Sequence, residues 1–283
     1  MGSALADGEV LKTLYILYAC KIERKMKTCL IAVLLLCCVF AKAQQSKKLF
    51  TAGHAGAFIG GLYDGYYPYS SLKQHGDFGL GAPDKLDGEL LMLNGKIYKT
   101  QAGGQTQEVK DTELTPFAVV NFFRANKKVV LNTLMDKNKL YACLDSLMPN
   151  QNGIYAIRIS GKYSAVKTRA FPPVRQVPYV PLAQILSLQH FFNFTGAEGF
   201  LVGYRIPAYM EGPNISGYHF HYLSNNHQNG GHLIDVLTQG ITIEICELDG
   251  FTVDLPQSQA FKNFNFKQDR REEVKQVENG KND

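Results

Sequence analysis

The stretch GYHFHYLSNNHQNGGHLIDV, residues 217–236, places three histidines in fixed register and decides how the second half of the chain is interpreted. Side chains two positions apart in an extended strand point to the same face, so His219 and His221 project together. Residues 224–231 are rich in Ser, Asn and Gly, a composition that predicts the loop of a β-hairpin. That hairpin delivers His232 onto the neighbouring antiparallel strand, close to the other two imidazoles.

Three imidazoles that converge from two paired strands make an open tetrahedral zinc site, with the fourth position left for water or substrate. The sequence therefore predicts a Zn2+ centre with His219, His221 and His232 as ligands, and metal chemistry as the function. A His-x-His pair alone is more often structural, with each ring satisfied by a hydrogen bond, so the third histidine carries the prediction. His227, in the loop, is interpreted as a solvated residue.

The sequence of the first 43 residues predicts a segment that is removed from the protein and is not part of its fold. Met26 begins MKTCLIAVLLLCCVFAKAQ, which has a basic start, an apolar run of about 12 residues and a small-x-small end at Ala43. This pattern predicts a secretory signal peptide at 26–43, cleaved near Ala43, and therefore export to the periplasm or the medium. The apolar run is short for a bilayer span, so a transmembrane anchor is the less favoured alternative. Residues 1–25 are interpreted as an upstream extension from an early start codon.

Composition after this processing argues against a nucleic-acid partner. Removal of residues 1–43 takes away six Lys and Arg and three Asp and Glu, which lowers the formal charge from +5 to about +2. No basic stripe is present, and no stable membrane span is expected after cleavage. Cys143 and Cys246 are the two cysteines that remain; a disulfide is compatible with export, but two unpaired thiols are the simpler interpretation.

Hydrophobic patterning predicts an α+β chain with a mixed α/β arrangement. The predicted elements are, in order, a hairpin of residues 89–92 and 96–100 through Asn94-Gly95, strands at 117–123 and 128–131, a helix at 139–148, a hairpin of 153–160 and 163–169, a helix at 182–191, and strands at 200–209, 242–246 and 251–255.

Two domains are predicted from this order. Residues 44–171 are expected to form an N-terminal mixed β-sheet with helices. Residues 172–268, which begin at a proline cluster, are expected to form a C-terminal, mainly antiparallel sheet or barrel that carries the metal site. The charged tail, 269–283, is predicted either to fray in solvent or to fold as a helix onto the active site.

Several stretches together resemble the α-acetolactate decarboxylase family, in the family's order and over nearly the whole chain after residue 43. They are HGDFGLG (75–81), LDGEL (86–90), TPFAVV (115–120), YAIRI (155–159), VKTR (166–169), GYRIPAY (203–209), GYHFHYLS (217–224) and GGH (230–232). The resemblance implies the same three histidine ligands, and it implies Glu89, Arg169 and Glu278 as further active-site residues. This chain departs from the family pattern at Ala82, because the family often has Thr after GLG. That threonine lies near the substrate in the family, so the resemblance implies that one substrate contact is absent here.

The resemblance further implies a zinc-dependent carboxy-lyase that converts 2-acetolactate to acetoin and CO2 through a metal-stabilised enediolate, and a homodimer formed through the N-terminal sheet. Arg169 is a candidate for holding the leaving carboxylate, because guanidinium matches carboxylate geometry and stays charged. Glu89 and Glu278 are candidates for proton transfer, which needs a carboxyl group of raised pKa. The plainer alternatives are a surface arginine at a strand end, a solvated hairpin glutamate and a disordered tail.

Three other functions fit the histidines less well. An α-type carbonic anhydrase also has a His-x-His strand, but its third histidine is more distant in sequence. A cupin-type iron or manganese site needs a glutamate soon after the second histidine, and residues 222–227 contain none. A secreted structural protein would use a fourth protein ligand and would have no substrate-dependent activity.

Overall fold

The computed structural model describes residues 15, 18, 21–27 and 47–279, apart from the side chain of Asn279. Residues 1–45 and 46–283 form separate units, and in the first unit residues 21–27 are helical. The predicted signal peptide lies outside the described residues, except for Met26 and Lys27. Among the residues described, no helix is long and apolar enough to cross a membrane.

The described part of the second unit, residues 47–279, contains several short helices and fifteen strands, which form two main sheets and one two-stranded pair. The strands are β1 (Lys48–Ala52), β2 (Tyr67–Pro68), β3 (Phe78–Ala82), β4 (Glu89–Leu93), β5 (Lys96–Thr100), β6 (Thr106–Glu108), β7 (Leu114–Thr115), β8 (Phe117–Asn121), β9 (Lys127–Leu131), β10 (Met135–Asp136), β11 (Ile154–Ala170), β12 (His190–Ile206), β13 (Gly217–Ser224), β14 (Gly230–Leu248) and β15 (Gly250–Asp254). The α-helices are α1 (Ala55–Ile59), α2 (Tyr69–Leu72), α3 (Lys137–Leu147), α4 (Gln259–Lys262) and α5 (Arg271–Asn279), with 3-10 helices at Asp84–Leu86, Leu182–Leu188 and Ala208–Met210.

The first sheet has seven strands in the order β15-β1-β8-β3-β4-β5-β6. It is mixed, because β15 runs parallel to β1 while the other neighbours are antiparallel. The predicted hairpin through Asn94-Gly95 is present as β4 and β5. Every residue of β4 is buried, so its first residue, Glu89, lies inside the protein rather than on a solvated turn.

The second sheet is antiparallel and is built on three long strands, β11, β12 and β14. Strand β13 pairs with β12 along its length and also with the first residues of β14, but the sheets do not close into a clear barrel. Apolar side chains from both sheets, among them Leu80, Leu91 and Val202, form one continuous core between them. The prediction of an α+β chain with a mixed sheet and an antiparallel sheet is confirmed.

The hairpin predicted at residues 153–169 is wrong, because this segment is the single strand β11. The dipeptide Gly161-Lys162 has the composition of a turn, but both neighbouring strands pair with β11 on either side of it, with a register shift against β14. Gly161 has a φ of 144°, and a Cβ there would lie 2.2 Å from the carbonyl oxygen of Gly240. The glycine therefore permits a close approach between strands and does not reverse the chain.

The helix predicted at 182–191 is only partly present. A 3-10 helix covers Leu182–Leu188, in which Ile185 leaves helical geometry, and from His190 the chain pairs with β11. Strands of both sheets lie on each side of residue 171, the predicted domain boundary. Strand β11 precedes it but belongs to the second sheet, and β15 follows it but joins the first.

A candidate metal centre between the two sheets

The three histidines predicted as ligands meet at the β13–β14 hairpin. His221 and His232 are direct partners across the two strands, and His219 lies two residues along β13 on the same face. The Nε2 atoms of His219 and His221 are 3.2 Å apart, and one ligand atom from each of the three rings lies within 4.8 Å of the others. The hairpin geometry therefore converges the imidazoles as the spacing predicts.

Gly231 explains how β14 comes close enough to place His232. Its φ is 121°, and a Cβ at this position would lie 2.7 Å from the carbonyl oxygen of Arg169 on β11. Any other residue would push the two strands apart or strain the backbone. Gly231, the second glycine of the GGH motif, is therefore required for β14 to pack closely against β11 at the site.

Burial keeps the three imidazoles neutral, which is the form that binds metal. It lowers the pKa of His221 to about 3 and moves the pKa values of His219 and His232 well below their usual range, with the positive charge of Arg169 acting in the same direction. His221 Nδ1 lies 2.8 Å from the backbone oxygen of Leu90. Since that oxygen can only accept, Nδ1 donates and Nε2 is left with a free lone pair.

The donor set fits a transition metal such as zinc. Two nitrogens bound to one tetrahedral zinc, each at 2.0–2.1 Å, lie about 3.3 Å apart, close to the separation between His219 and His221. His232 Nε2 lies 3.2 Å from the backbone oxygen of Glu278. A nitrogen that donates to this oxygen cannot bind a metal at the same time, so metal binding through Nε2 would replace the contact.

Glu89 and Arg169 form a buried ion pair beside the histidines. Arg169 Nη1 donates to Glu89 Oε1 at 2.5 Å, and the two side chains are 4% and 7% exposed. Glu89 Oε2 lies 3.5 Å from His221 Nε2. Burial raises the pKa of Glu89 to about 7, against the opposing effect of Arg169. The structure thus places both residues in the interior, and a surface location is wrong for each of them.

Arg169 is held from three sides, and two of its contacts were missed in the sequence. Its Nη2 donates to the backbone oxygen of Val277 at 3.2 Å, and its guanidinium lies 4.9 Å from the ring centroid of Phe171. Phe171 lies two residues further along, and this spacing, which puts both side chains on one face of a strand, was a usable signal. Arg169 Nε is buried and has no hydrogen-bond partner among the described residues, so one donor remains available for a ligand.

Glu278 reaches the histidines from helix α5. Its Oε2 lies 3.8 Å from His219 Nε2, and its side chain is 16% exposed. Burial raises the pKa of Glu278 to about 8; Arg169 opposes this shift and Glu89 adds to it. The tail therefore reaches the site through Val277 and Glu278. The structure brings all six predicted site residues together, while their chemical roles stay predictions.

These six residues line a small, partly open cavity of about 30 Å³. The rest of its wall is apolar apart from backbone, and sequence reasoning did not identify it: Phe58, Ile59, Gly81, Leu86, Phe117, Leu182, Ile215 and Val277. Ala82 also lines the cavity and is buried, so the departure from the family pattern lies at the site itself. This arrangement combines neutral metal ligands, one cation and two carboxyl groups in a water-poor space.

The other histidines lie elsewhere. His54 accepts a hydrogen bond from the backbone of Ala57 at the start of α1, and His75 stacks on Phe50 with ring centroids 3.7 Å apart. His227 is exposed in the hairpin loop, where its Nδ1 lies 3.3 Å from the hydroxyl of Tyr98. Cys246 is buried and Cys143 partly buried, and both are free thiols.

The fold and the site define an α+β protein whose buried three-histidine cluster could hold a metal ion. A family model described as alpha-acetolactate decarboxylase matches residues 49–268. The chain belongs to the α-acetolactate decarboxylase family, and the expectation of an enzyme of the carboxy-lyase class is confirmed.

Individual relatives agree with this assignment. The alpha-acetolactate decarboxylase of Methanosarcina mazei is 36% identical over 82% of this chain and 81% of its own length. That of Methylococcus capsulatus is 34% identical over 83% of this chain and 90% of its own length. The crystal structure of alpha-acetolactate decarboxylase from Bacillus subtilis strain 168 has a TM-score of 0.79 and 29% identity, and the match covers 83% of this chain and all of that chain.

Proposed function

We propose that the protein decarboxylates 2-acetolactate to acetoin and CO2 with zinc bound by His219, His221 and His232. The observation that carries the proposal is the convergence, in one small cavity of a family member, of three neutral imidazoles with a buried arginine and two protonatable carboxyl groups. Such a set can bind an anionic keto acid, accept charge from it and return a proton.

The substrate explains why no organic cofactor is needed. In 2-acetolactate the carboxylate and the ketone are attached to the same carbon, so loss of CO2 sends an electron pair toward the ketone oxygen and gives an enediolate. Zinc, when bound, supplies a Lewis acid for the charge that develops on oxygen, an effect worth several kcal/mol of barrier.

Arg169 is suited to bind the carboxylate that leaves. Its guanidinium stays charged, the residue is buried, and its Nε has no partner among the described residues. Glu89 and Phe171 fix the orientation of the guanidinium before substrate arrives. The same residue can stabilise the enediolate after CO2 has left, because the positive charge lies in a cavity that excludes bulk water.

Glu89 and Glu278 are suited to hold and deliver a proton. Burial raises the pKa of Glu89 to about 7 and that of Glu278 to about 8, so each carboxyl group can be protonated near neutral pH. One of them would accept a hydrogen bond from the substrate hydroxyl, and the other would protonate the enediolate carbon. Glu278 is our candidate for the proton donor, because no ion pair with Arg169 holds it in the charged form.

Further parts of the proposal rest on the sequence and the family. They are cleavage of the 26–43 signal peptide near Ala43, export to the periplasm or the medium, a homodimer, a place in acetoin biosynthesis and the division into regions 44–171 and 172–268. The substrate is the one small molecule in the proposal, and no nucleic-acid partner is included.

The test is release of acetoin and CO2 from racemic 2-acetolactate by the protein that begins at Gln44. Turnover well above the spontaneous rate, lost on treatment with a strong chelator and restored by zinc, is the expected result. Turnover at the spontaneous rate by a folded, zinc-loaded protein would overturn the proposal and favour a structural zinc site.

A further inference from the structure

The cavity beside the histidines is too small for the proposed substrate. Its volume is about 30 Å³, room for about two or three water molecules at the roughly 10–15 Å³ that each one needs. 2-Acetolactate has nine non-hydrogen atoms and needs several times this volume. One wall of the cavity must therefore move before a substrate reaches the histidines; this step rests on the proposed function for the size of the ligand.

Helix α5 is the wall with the weakest attachment. The strands that carry the histidines, Glu89 and Arg169 are hydrogen-bonded to neighbours on both sides. By contrast, seven of the nine residues of α5 are charged or carry amides, and only Val274 and Val277 are apolar. A helix of this length is marginal by itself, so it depends on what these two valines bury. Segments with so few buried apolar contacts open at low free-energy cost.

Helix α5 also separates two spaces. Glu278 lines the inner cavity, and on its other side it lines an outer pocket of about 590 Å³ together with Tyr141 and Tyr218. Two backbone contacts fasten this end of the helix over the site: Val277 O with Arg169 Nη2, and Glu278 O with His232 Nε2, each at 3.2 Å. Displacement of the helix breaks both contacts and joins the outer pocket to the cavity.

We propose that helix α5, Arg271–Asn279, is a lid, and that small keto-acid substrates enter the cavity from the outer pocket when this helix lifts. Val274 lies outside the inner cavity and packs against the apolar core, so it controls the stability of the closed lid without forming part of the site. The closed lid supplies Glu278 and excludes water, and the open lid admits substrate and releases product.

The test measures access to the site without using turnover. The metal-free protein is treated with diethyl pyrocarbonate, and peptide mass spectrometry gives the acylation rates of His219, His221 and His232. Exposed His227, in the same hairpin, is the internal reference. Val274→Ala removes two partly buried methyl groups and should increase the site-histidine rates about fivefold while the rate of His227 stays the same. Gln276→Ala, exposed on the same helix, is the matched control and should change neither rate.

Amide hydrogen exchange supplies the second measurement. In the wild type, α5 amides should exchange faster than those of β13 and β14, and Val274→Ala should accelerate α5 alone. Faster exchange in α5 with unchanged histidine acylation would overturn the proposal, because access would then follow another route. Wild-type α5 amides as protected as those of β14 would also overturn it, even if the variant failed to fold. Both readouts are independent of decarboxylation, so a failed activity assay would not affect them.

Discussion

The β13–β14 hairpin and helix α5 border the same cavity but are held in place by different interactions. The hairpin is fixed by backbone pairing to β11 and β12, and His221 and His232 are 1% and 2% exposed. The helix is held by two valines, by the Glu273–Arg270 ion pair and by two backbone contacts, of which metal binding would replace the one to His232. Its Glu278 side chain is 16% exposed. The comparison teaches that the three candidate metal ligands are held rigidly by paired strands, while Glu278, the candidate proton donor, is carried by a weakly attached helix.

The largest effect should come from a substitution in the β13–β14 hairpin. His221→Ala removes a ligand whose orientation is fixed by Leu90, and we expect loss of bound zinc and a fall in turnover on the order of 1000-fold. The zinc content of the dialysed protein measures the loss of metal, and the rate of acetoin release measures the fall in turnover. His227→Ala, in the same hairpin, should keep both; if it lost zinc to the same extent, the ligand assignment would be wrong.

Among the site residues, the buried ion pair of Glu89 with Arg169 should affect stability most. Arg169→Met leaves the carboxyl group of Glu89 buried without its cation, and we expect the free energy of unfolding to fall by about 3 kcal/mol. Urea unfolding of the metal-free protein measures this loss. The double variant with Glu89→Gln should recover most of it, and no recovery would mean that the arginine acts mainly through Phe171 and Val277.

A substitution of Glu278 in helix α5 should show the reverse pattern, because turnover falls while the protein stays folded and keeps its zinc. Glu278→Gln removes a general acid, and we expect kcat to fall by about 100-fold with zinc content unchanged. Glu272→Gln, exposed on the same helix, is the control and should behave as the wild type. Turnover close to wild type in Glu278→Gln would assign proton delivery to Glu89 instead.

The smallest expected effect is a pH dependence of the metal-free protein. The pKa of Glu278 rises from 4.5 to about 8 on folding, so its contribution to stability is full below pH 4.5 and is lost as pH rises toward 8. The lowered histidine pKa values act in the opposite direction, but only below their ordinary value of 6.5.

Stability should therefore decrease between pH 6.5 and 8, by at most about 1.4 kcal/mol per pH unit for one group. Urea unfolding at several pH values measures the slope. Glu89, whose pKa is raised to about 7, adds to the slope below pH 7, so Glu278→Gln should flatten the slope above pH 7. An equal slope there in wild type and variant would place the titrating group elsewhere.

The sequence predicted the local features well because short-range rules determine them. The histidine hairpin and the Asn94-Gly95 turn depend on residues a few positions apart. The pairing of Glu89 with Arg169 depends on how two sheets pack across 80 residues, and patterning could not show it; the family resemblance suggested both residues without their contact. Gly161 misled the prediction because a glycine that permits close strand approach has the same local sequence as a turn.

The pairing of β15 with β1 has a consequence for how the chain is made. Every residue of β1 has a partner in β15, from Lys48 with Gly250 to Ala52 with Asp254, so one of the first strands to be synthesised has a neighbour that is made about 200 residues later. Contacts of such long sequence separation form slowly. The first sheet therefore keeps β1 as an unpaired edge until residue 254 has left the ribosome, so this sheet can be completed only after almost all of the chain has been synthesised.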